Sequence, residues 1–277
     1  MNIITISNKG KTSATIAPDK GATVISILHE GKEFLYCDME NLESPERPRC
    51  GIPFLFPIFG RLQDGQYTYE GKTYSMEIHG FGHLSRWAVA EQGSDVLRLV
   101  LEANEETLKM YPFQFRTELC FRVGDGWLDI VQRYENLDEK PMPYSFGFHP
   151  YFKLEELKHA QVETTAEQFF DFVAGGVRPF GHDRVSLTMP DGAPESGAVF
   201  MKVTAPSVLD IPEEGRRVTM EYDASFPQLV LWTQAGKQFL CVEPINGTAN
   251  GLNTGVYFIL QPGEVKETTL RINVKNT

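Results

Sequence analysis

Short stretches in which every second residue is apolar recur along this chain, and they limit the folds open to it more than any other property. Residues 96–101, 115–122 and 127–134 carry the pattern most clearly, and Gly124-Asp125-Gly126 between the last two is a hairpin signal. Because successive side chains of a strand point to opposite faces, this period predicts strands. Further strands are predicted at 3–7, 22–29, 67–74, 216–222, 228–233, 238–242, 256–260 and 267–274.

Helical signals are confined to residues 104–110. Asn104 is suited to cap a helix N-terminus, Glu105 and Glu106 favour its first turn, and Pro112 follows its end. Many short strands with hardly any helix predict an all-β fold, either a large antiparallel β-sandwich or a barrel. Glycine and proline are spread evenly and no linker interrupts the pattern, so we predict one domain over residues 1–277.

Charge and cysteine content exclude several functional classes. The chain of 277 residues carries 26 Lys and Arg against 37 Asp and Glu, a net charge of −11, and an acidic protein without a basic cluster binds nucleic acid or anionic membranes poorly. The four cysteines form no CxxC pair, which argues against zinc-ribbon and thioredoxin-like sites. No signal peptide is apparent, and the longest apolar run, residues 52–59, is too short to span a bilayer. We therefore expect a soluble cytoplasmic protein with reduced thiols.

Four segments of the sequence break the alternation of apolar and polar residues. Two of them are rich in glycine or proline. Residues 49–61 contain two prolines, which exclude a central strand, yet are too apolar for a solvated loop, and they end in Arg61. Residues 78–87 place His79 and His83 four positions apart, next to two glycines. A zinc pair is one interpretation, although the helical metalloprotease motif is absent. The other is a structural role for His83 and a functional role for His79.

The other two segments carry an imidazole and a carboxylate. In residues 144–152 (YSFGFHPYF) His149 stands among five aromatic rings, and aromatic faces beside a polar group suit a sugar. Residues 240–255 place Glu243 at the end of an apolar strand, where a carboxylate requires a partner, and continue into a loop rich in Asn, Gly and Thr. Without a nucleophile, phosphate-loop or nucleotide motif, these groups favour proton transfer on a neutral polyol over phosphoryl or hydride transfer.

In their order along the chain these segments resemble the aldose 1-epimerases (mutarotases) of the galactose-mutarotase-like superfamily. The matching pieces are GIPFLFPIFGRL (51–62), HGFGHLSRW (79–87), YPFQFRTEL (111–119), FGFHPYF (146–152) and VEPINGTANGLNTG (242–255). The resemblance implies a galactose-mutarotase-like β-sandwich. It also implies an isomerase that interconverts the α and β anomers of a small-molecule aldose, with no cofactor and no metal.

The resemblance further implies roles for individual residues. Glu243 matches the general base that takes the proton from the C1 hydroxyl, and His149 matches the general acid that protonates the ring oxygen. His79 matches a second catalytic histidine that hydrogen-bonds the sugar, and Arg61 matches a substrate-binding arginine. Ring opening needs both proton transfers, and we expect the carboxylate and the imidazole on opposite sides of the sugar. An imidazole with a pKa of about 6.5 can give or take a proton near neutral pH.

Other parts of the substrate site are less well defined by these motifs. Three further residues are predicted to contact the sugar: Phe148, Tyr151 and Asn253. Galactose mutarotases also use an aspartate that lies between the acid histidine and the base glutamate. The choice among the aspartates of that interval stays open: Asp171, Asp210 and Asp223.

Three alternatives to a free-aldose mutarotase remain. A non-catalytic sugar-binding protein can have the same fold, because fold does not determine function. A hexose-6-phosphate mutarotase is another, although relatives of that kind carry an arginine where this chain has His83; three arginines could replace it, namely Arg47, Arg49 and Arg86. A metal-dependent enzyme would use His79, His83, His149 and Glu243 as ligands. For all of these we expect a monomer or a homodimer.

Overall fold

The computed structural model describes residues 1–43, 49–171, 175–181 and 184–277. Most of this part of the chain is antiparallel β-structure, and its three helices are short: α1 (Met39–Glu43), α2 (Glu105–Met110) and α3 (Gly251–Thr254). None of the helices in the described ranges has the length and apolar character needed to cross a membrane.

The strands are, in chain order, β1 (Ile4–Asn8), β2 (Thr12–Ala17), β3 (Thr23–His29), β4 (Lys32–Glu33), β5 (Phe54–Leu55), β6 (Gln66–Tyr69), β7 (Lys72–Ser75), β8 (Ala88–Gln92), β9 (Val96–Glu102), β10 (Phe115–Gly124), β11 (Trp127–Asn136), β12 (Met142–Tyr144), β13 (Gly147–Phe148), β14 (Tyr151–Lys153), β15 (Gln161–Glu163), β16 (Gln168–Asp171), β17 (Val177–Pro179), β18 (Arg184–Val185), β19 (Glu195–Met201), β20 (Ser207–Ile211), β21 (Arg216–Tyr222), β22 (Gln228–Gln234), β23 (Phe239–Ile245), β24 (Phe258–Leu260) and β25 (Val265–Asn276).

Two large sheets contain most of these strands. The first has nine strands in the order β18-β15-β20-β21-β25-β11-β10-β9-β8. The second has eight, in the order β17-β16-β19-β22-β23-β13-β5, with β14 also paired to β23. A four-stranded sheet (β1-β2-β3-β4) and two two-stranded sheets (β12-β24 and β6-β7) complete the set. The all-β antiparallel fold predicted from the alternation is therefore confirmed.

The core lies between the two large sheets, and strand alternation decides which residues enter it. One buried apolar cluster contains residues of the nine-stranded sheet such as Leu119 and Ile130 together with Leu231 and Val242 of the eight-stranded sheet. Because neighbours along a strand point to opposite faces, Glu243 next to Val242 points away from this core. The outer face of the eight-stranded sheet is thus the face that carries the polar residues of β23.

Most predicted elements match the structure, with a clear difference at residues 67–74. Helix α2 begins after Asn104, whose side chain accepts hydrogen bonds from the backbone N–H groups of Glu106 and Thr107, as predicted for a cap. The stretch 67–74, predicted as one strand, is instead the hairpin β6–β7, because Gly71 at φ +77° turns the chain. The proline-rich segment includes the short edge strand β5, where a proline on either side is tolerated.

Candidate active site

The register of β23 brings Glu243 opposite His149. Gly147 of β13 pairs with Ile245, and Tyr151 of β14 pairs with Cys241. His149 lies midway between Gly147 and Tyr151, and Glu243 lies midway between Cys241 and Ile245, so the two residues face each other. Directly opposed residues of an antiparallel pair share one face of the sheet and lie close enough for contact. His149 Nε2 lies 3.4 Å from Glu243 Oε1, although the two residues are 94 positions apart in the sequence.

Both groups are withdrawn from water. Glu243 is 2% exposed and His149 is 7% exposed. A buried carboxylate requires a charged or hydrogen-bonding partner, and the imidazole is positioned to be that partner. The His149 ring is stacked on Tyr151 at 4.7 Å between centroids and lies edge-on to Trp232 at 5.8 Å, which holds the plane of the imidazole.

His79 reaches the same place from the loop after β7. Its φ of +66° puts the backbone in the left-handed region, which is uncommon for a residue with a side chain. Two hydrogen bonds hold it: the His79 N–H donates to the Gly60 carbonyl (2.9 Å), and the Gly60 N–H donates to His79 Nδ1 (3.1 Å). Since Nδ1 accepts, the neutral ring carries its proton on Nε2, which is then a hydrogen-bond donor. The His79 and His149 rings are 5.6 Å apart at 90°.

These three side chains line a cleft of about 550 Å³. Its polar lining includes Arg49, Arg61, His79, His149, Glu195 and Glu243. Its apolar lining includes Phe59, Val199, Val230, Trp232, Phe170 and Val177. The volume lies in the range typical of small-molecule sites, and the mixture of aromatic walls with a few polar groups is typical of them as well.

The predicted site residues divide into two groups. Arg61 lines the cleft and is exposed, while Phe148, Tyr151 and Asn253 do not line it. Phe148 pairs with Phe54 on the core face, because the residue before His149 must point away from the cleft. Tyr151 lies behind the His149 ring, 1% exposed. None of these three side chains lines the cleft, and their contacts with a sugar stay predictions.

The Asn253 side chain forms hydrogen bonds within and next to its own loop and does not line the cleft. Its side-chain amide donates to the Gln66 carbonyl at 2.8 Å and to Asn250 Oδ1 at 2.7 Å. The Asn250 side chain in turn accepts from the Gln63 N–H at 2.9 Å. These bonds fasten the loop that contains α3 to the chain just beyond Arg61, so Asn253 supports one wall of the cleft from outside.

Of the remaining predicted candidates, Arg49 lines the cleft, while His83, Arg86 and the three aspartates do not. His83 is 1% exposed, with its ring centroid 6.4 Å from that of His79, which agrees with the structural role expected for it. Arg86 forms an ion pair with Asp19 at 3.4 Å, and Arg47 lies outside the described residues. None of the three aspartates considered as sugar ligands lines the cleft: Asp171, Asp210 and Asp223.

Sequence reasoning missed Trp232 and Gln228. Both lie on β22 and line the cleft, because they occupy the same face as Val230, the residue opposite Glu243. The alternation within residues 228–233 indicated which of them share a face, but no local signal indicated that this face opens to a cleft. The information needed was the pairing of β22 with β23.

One group of metal-ligand type is present among the described residues. The ligand atoms of His149, Cys241 and Glu243 lie within 4.8 Å of one another. The four-residue set considered from the sequence, which included His79 and His83, is not brought together as one group. Instead, the cysteine two residues before Glu243 shares its face of the sheet.

The arrangement is suited to proton exchange with two oxygens of one carbon. Cross-strand pairing places the carboxylate and the imidazole side by side at 3.4 Å, whereas the expectation from the sequence had them on opposite sides of the sugar. Two oxygens bonded to the same carbon are themselves close together, so adjacent acid and base groups can each reach one of them within hydrogen-bond distance.

Known proteins provide an independent comparison. A sequence model of the family described as aldose 1-epimerase matches residues 2–273. The chromosomally encoded LacX protein of Lactococcus lactis subsp. lactis is 24% identical over 250 residues, which cover 82% of each protein.

Solved structures resemble the whole chain. The Slr1438 protein from Synechocystis is 29% identical, with a TM-score of 0.92 over 100% of this chain and 96% of that one. A galactose mutarotase-like protein from Lactobacillus casei is 24% identical, with a TM-score of 0.84 over 99% of this chain and 100% of that one. At this identity the second likeness concerns the fold alone, and it confirms the predicted galactose-mutarotase-like architecture.

Proposed function

This chain belongs to the aldose 1-epimerase family, and we propose that it interconverts the α and β anomers of a free aldose by opening and closing the sugar ring. The observation that carries the proposal is the buried pair of His149 and Glu243, 3.4 Å apart at the floor of the cleft. The C1 hydroxyl and the ring oxygen of a hemiacetal are bonded to the same carbon. A base and an acid that are neighbours can therefore act on both oxygens at once.

In the proposed reaction, Glu243 takes the proton of the C1 hydroxyl while His149 donates a proton to the ring oxygen. The bond between C1 and the ring oxygen breaks, and a C1 carbonyl forms. After rotation about the C1–C2 bond, the former ring oxygen attacks the other face of the carbonyl. His149 then recovers its proton and Glu243 returns its own, so the protein ends unchanged. Each transfer of this type contributes about 10²–10⁴-fold in rate.

His79 and Arg61 are proposed to position the sugar. The Nε2–H of neutral His79 is a hydrogen-bond donor next to the acid, since Nδ1 is held by the Gly60 N–H. Arg61 is an exposed cation at the cleft wall and offers donors to sugar hydroxyls. The reaction consumes no electrons and no group is transferred, so we propose that it proceeds without cofactor or metal.

The test is exchange spectroscopy by NMR on the purified protein with a panel of aldoses. Magnetisation transfer between the two anomeric C1 protons measures interconversion directly at equilibrium. We expect the protein to accelerate exchange of at least one free hexose well above the spontaneous rate. A protein that binds sugars without accelerating exchange would instead be a sugar-binding member of the family.

A 6-phosphorylated hexose is a second candidate substrate, because two arginines, Arg49 and Arg61, line the same cleft. Both side chains are exposed and available to a phosphate. The panel should therefore include each hexose together with its 6-phosphate. A higher kcat/KM for the phosphate, lost in Arg49→Gln, would assign this substrate class. Cytoplasmic location and a monomeric or homodimeric state remain predictions.

A further inference from the structure

Three side chains of metal-ligating type meet at the floor of the cleft, and the proposed reaction uses only two of them. Cys241 precedes Glu243 by two positions on β23, so both side chains lie on the same face of the sheet. Cys241 is buried against Tyr151 and Phe239. The ligand atoms of Cys241, Glu243 and His149 lie within 4.8 Å of one another. The thiol is therefore an additional donor beside the proposed acid and base, with no part in their proton transfers.

The three ligand atoms form a triangle close to the size that a tetrahedral zinc ion requires. Zinc binds nitrogen and oxygen at about 2.0–2.2 Å and thiolate sulfur at about 2.3 Å, which places two ligands about 3.4–3.6 Å apart. His149 Nε2 is 3.4 Å from Glu243 Oε1. For three atoms no more than 4.8 Å apart, a point exists within about 2.8 Å of all of them (4.8/√3). Small side-chain rotations therefore bring all three donors to bonding distance of one ion.

The chemistry of the donors selects the ion. Nitrogen and sulfur donors favour zinc and other late first-row metals, whereas Mg²⁺ and Ca²⁺ prefer oxygen. A thiolate and a carboxylate together carry two negative charges, so their complex with a divalent ion and a neutral imidazole is uncharged. An uncharged complex avoids the cost of burying a net charge. Cys241 releases its proton to solvent when the ion binds.

An ion can reach this position from solvent. Glu243 and His149 both line the cleft, and Cys241 lies directly behind them on the same sheet. Both ring nitrogen and carboxylate oxygen therefore face the route by which a sugar enters.

We propose that His149, Cys241 and Glu243 form an inhibitory zinc site. A bound ion occupies the His149 nitrogen that faces Glu243, where the general acid carries its proton, and a carboxylate oxygen that has to receive one. Zinc and the sugar therefore exclude each other. The inhibition rests on the proposed function and adds regulation of that same site, whereas metal binding depends only on the three donors.

The test measures metal binding and anomer exchange separately, on the full-length protein under reducing conditions. Co²⁺ takes the place of Zn²⁺ and reports a thiolate ligand by a sulfur-to-cobalt charge-transfer band in the near ultraviolet. We expect this band in the wild type, and its displacement by Zn²⁺ gives the Kd for zinc. NMR exchange of the aldose that the protein converts fastest should fall at least about 100-fold in saturating Zn²⁺, as expected for loss of acid and base catalysis. EDTA should restore exchange, and Mg²⁺ at the same concentration should have no effect.

Cys241→Ala removes the thiolate and leaves the proposed acid and base in place. Loss of an outer partner of a ligand already lowers metal affinity about 10–100-fold, so loss of the ligand itself should raise the Kd for zinc at least about 100-fold. The charge-transfer band should disappear. Zinc sensitivity is the ratio of exchange without and with zinc in the same variant, so a change in basal exchange does not affect it. If Cys241→Ala folds poorly, Cys241→Ser replaces it, with the same loss of the band required.

The matched control is Cys120→Ala. Cys120 is also buried, at 3% exposed, but it lies on β10 of the nine-stranded sheet. This variant should keep the wild-type band and the wild-type Kd for zinc.

The outcomes separate the two proposals. If the wild type lacks the band, or if Cys241→Ala keeps it together with the zinc affinity, the metal site is wrong while anomer exchange stands. If zinc binds with the band and exchange is unchanged or rises, the inhibitory role is wrong. If no aldose exchanges faster with the protein than without it, the proposed function fails, and a band that Cys241→Ala abolishes still supports the metal site.

Discussion

Replacement of Glu243 by glutamine isolates the proposed base from every other property of that side chain. Glutamine has nearly the same shape, and its carbonyl oxygen can still accept a hydrogen bond beside His149, but it cannot take a proton. We expect kcat for anomer exchange to fall by about 10²–10⁴-fold, which is about 2.7–5.4 kcal/mol of transition-state stabilisation. Sugar affinity should stay within a few-fold, because hydrogen-bond acceptance is retained.

The structure also predicts what Glu243→Gln does to stability. The side chain is 2% exposed, so the carboxylate carries a desolvation cost that its imidazole neighbour offsets. An amide avoids most of that cost and gives up the charge interaction with His149. The two changes oppose each other, and we expect the free energy of unfolding to move by no more than about 1 kcal/mol. Urea denaturation measures this, and an unchanged midpoint assigns any kinetic loss to chemistry.

The rate is measured by NMR exchange between the anomeric protons, with the spontaneous rate subtracted. Glu195→Gln is the matched control, since Glu195 is an exposed carboxylate on the lining of the same cleft. It should retain wild-type kcat. The reasoning is refuted if Glu243→Gln keeps full turnover, or if Glu195→Gln loses as much, because a change of cleft charge would then explain the loss.

Four further predictions concern His149, the effect of a metal chelator, the contact at Gly80 and the ion pairs of Glu118. His149→Asn should lower kcat by about 10²–10³-fold, and the double variant with Glu243→Gln should be little worse, since the two groups act together; additive losses in exchange spectra would contradict this. Dialysis against a chelator should leave kcat unchanged, and loss of exchange that zinc restores would indicate a metal enzyme. Gly80→Ala should lower the unfolding free energy by about 3 kcal/mol or more, because φ is +73° and a Cβ would lie 2.3 Å from the Phe56 carbonyl oxygen. Gly71 has the same left-handed backbone (φ +77°), but a Cβ there would meet no atom within 4 Å. Gly71→Ala should therefore lower the unfolding free energy by only about 1–2 kcal/mol in urea denaturation. Equal losses in the two variants would exclude the close contact at Gly80 as the cause. Burial raises the pKa of Glu118, but hydrogen bonding and charge from three arginines outweigh it, so the pKa lies below its ordinary value. The stabilisation that the Glu118 carboxylate contributes is therefore present at neutral pH and lost as pH falls through its folded-state pKa. Glu118→Gln should lower the free energy of unfolding by about 1 kcal/mol at pH 7. The midpoint of urea denaturation should then decline less steeply below about pH 5 than in the wild type.

The fold class was predictable because alternation is a local property. Residues 115–122 and 127–134 were predicted as two strands of a hairpin, and they are β10 and β11, paired from Phe115↔Asn136 to Gly124↔Trp127. The cap at Asn104 was predictable for the same reason, since its partners lie two and three residues away. The hairpin β6–β7 was missed because the two-residue turn Glu70-Gly71 in the middle of residues 67–74 was taken as part of one strand.

The candidate site was only partly predictable. Chemistry-bearing residues such as His149 and Glu243 were recognisable from their setting and from the family resemblance. Contacts of the sugar with Phe148 and Tyr151 were inferred from proximity along the chain, but alternation turns the first into the core and places the second behind the imidazole. The prediction used the residue types and did not consider the direction of the side chains.

The sequence by itself determined that this chain forms short antiparallel strands. It also determined that an imidazole and a carboxylate lie in segments that interrupt the alternation. Both properties depend only on neighbouring residues. Register and stacking order are different, since they depend on which distant strands pair. The pairing of β23 with β13 and β14 brings His149 to Glu243, and the pairing of β22 with β23 brings Val230 and Trp232 to the same face. Only the assembled sheet decides these contacts, because a shift of one residue in any pair would turn these side chains to the opposite face.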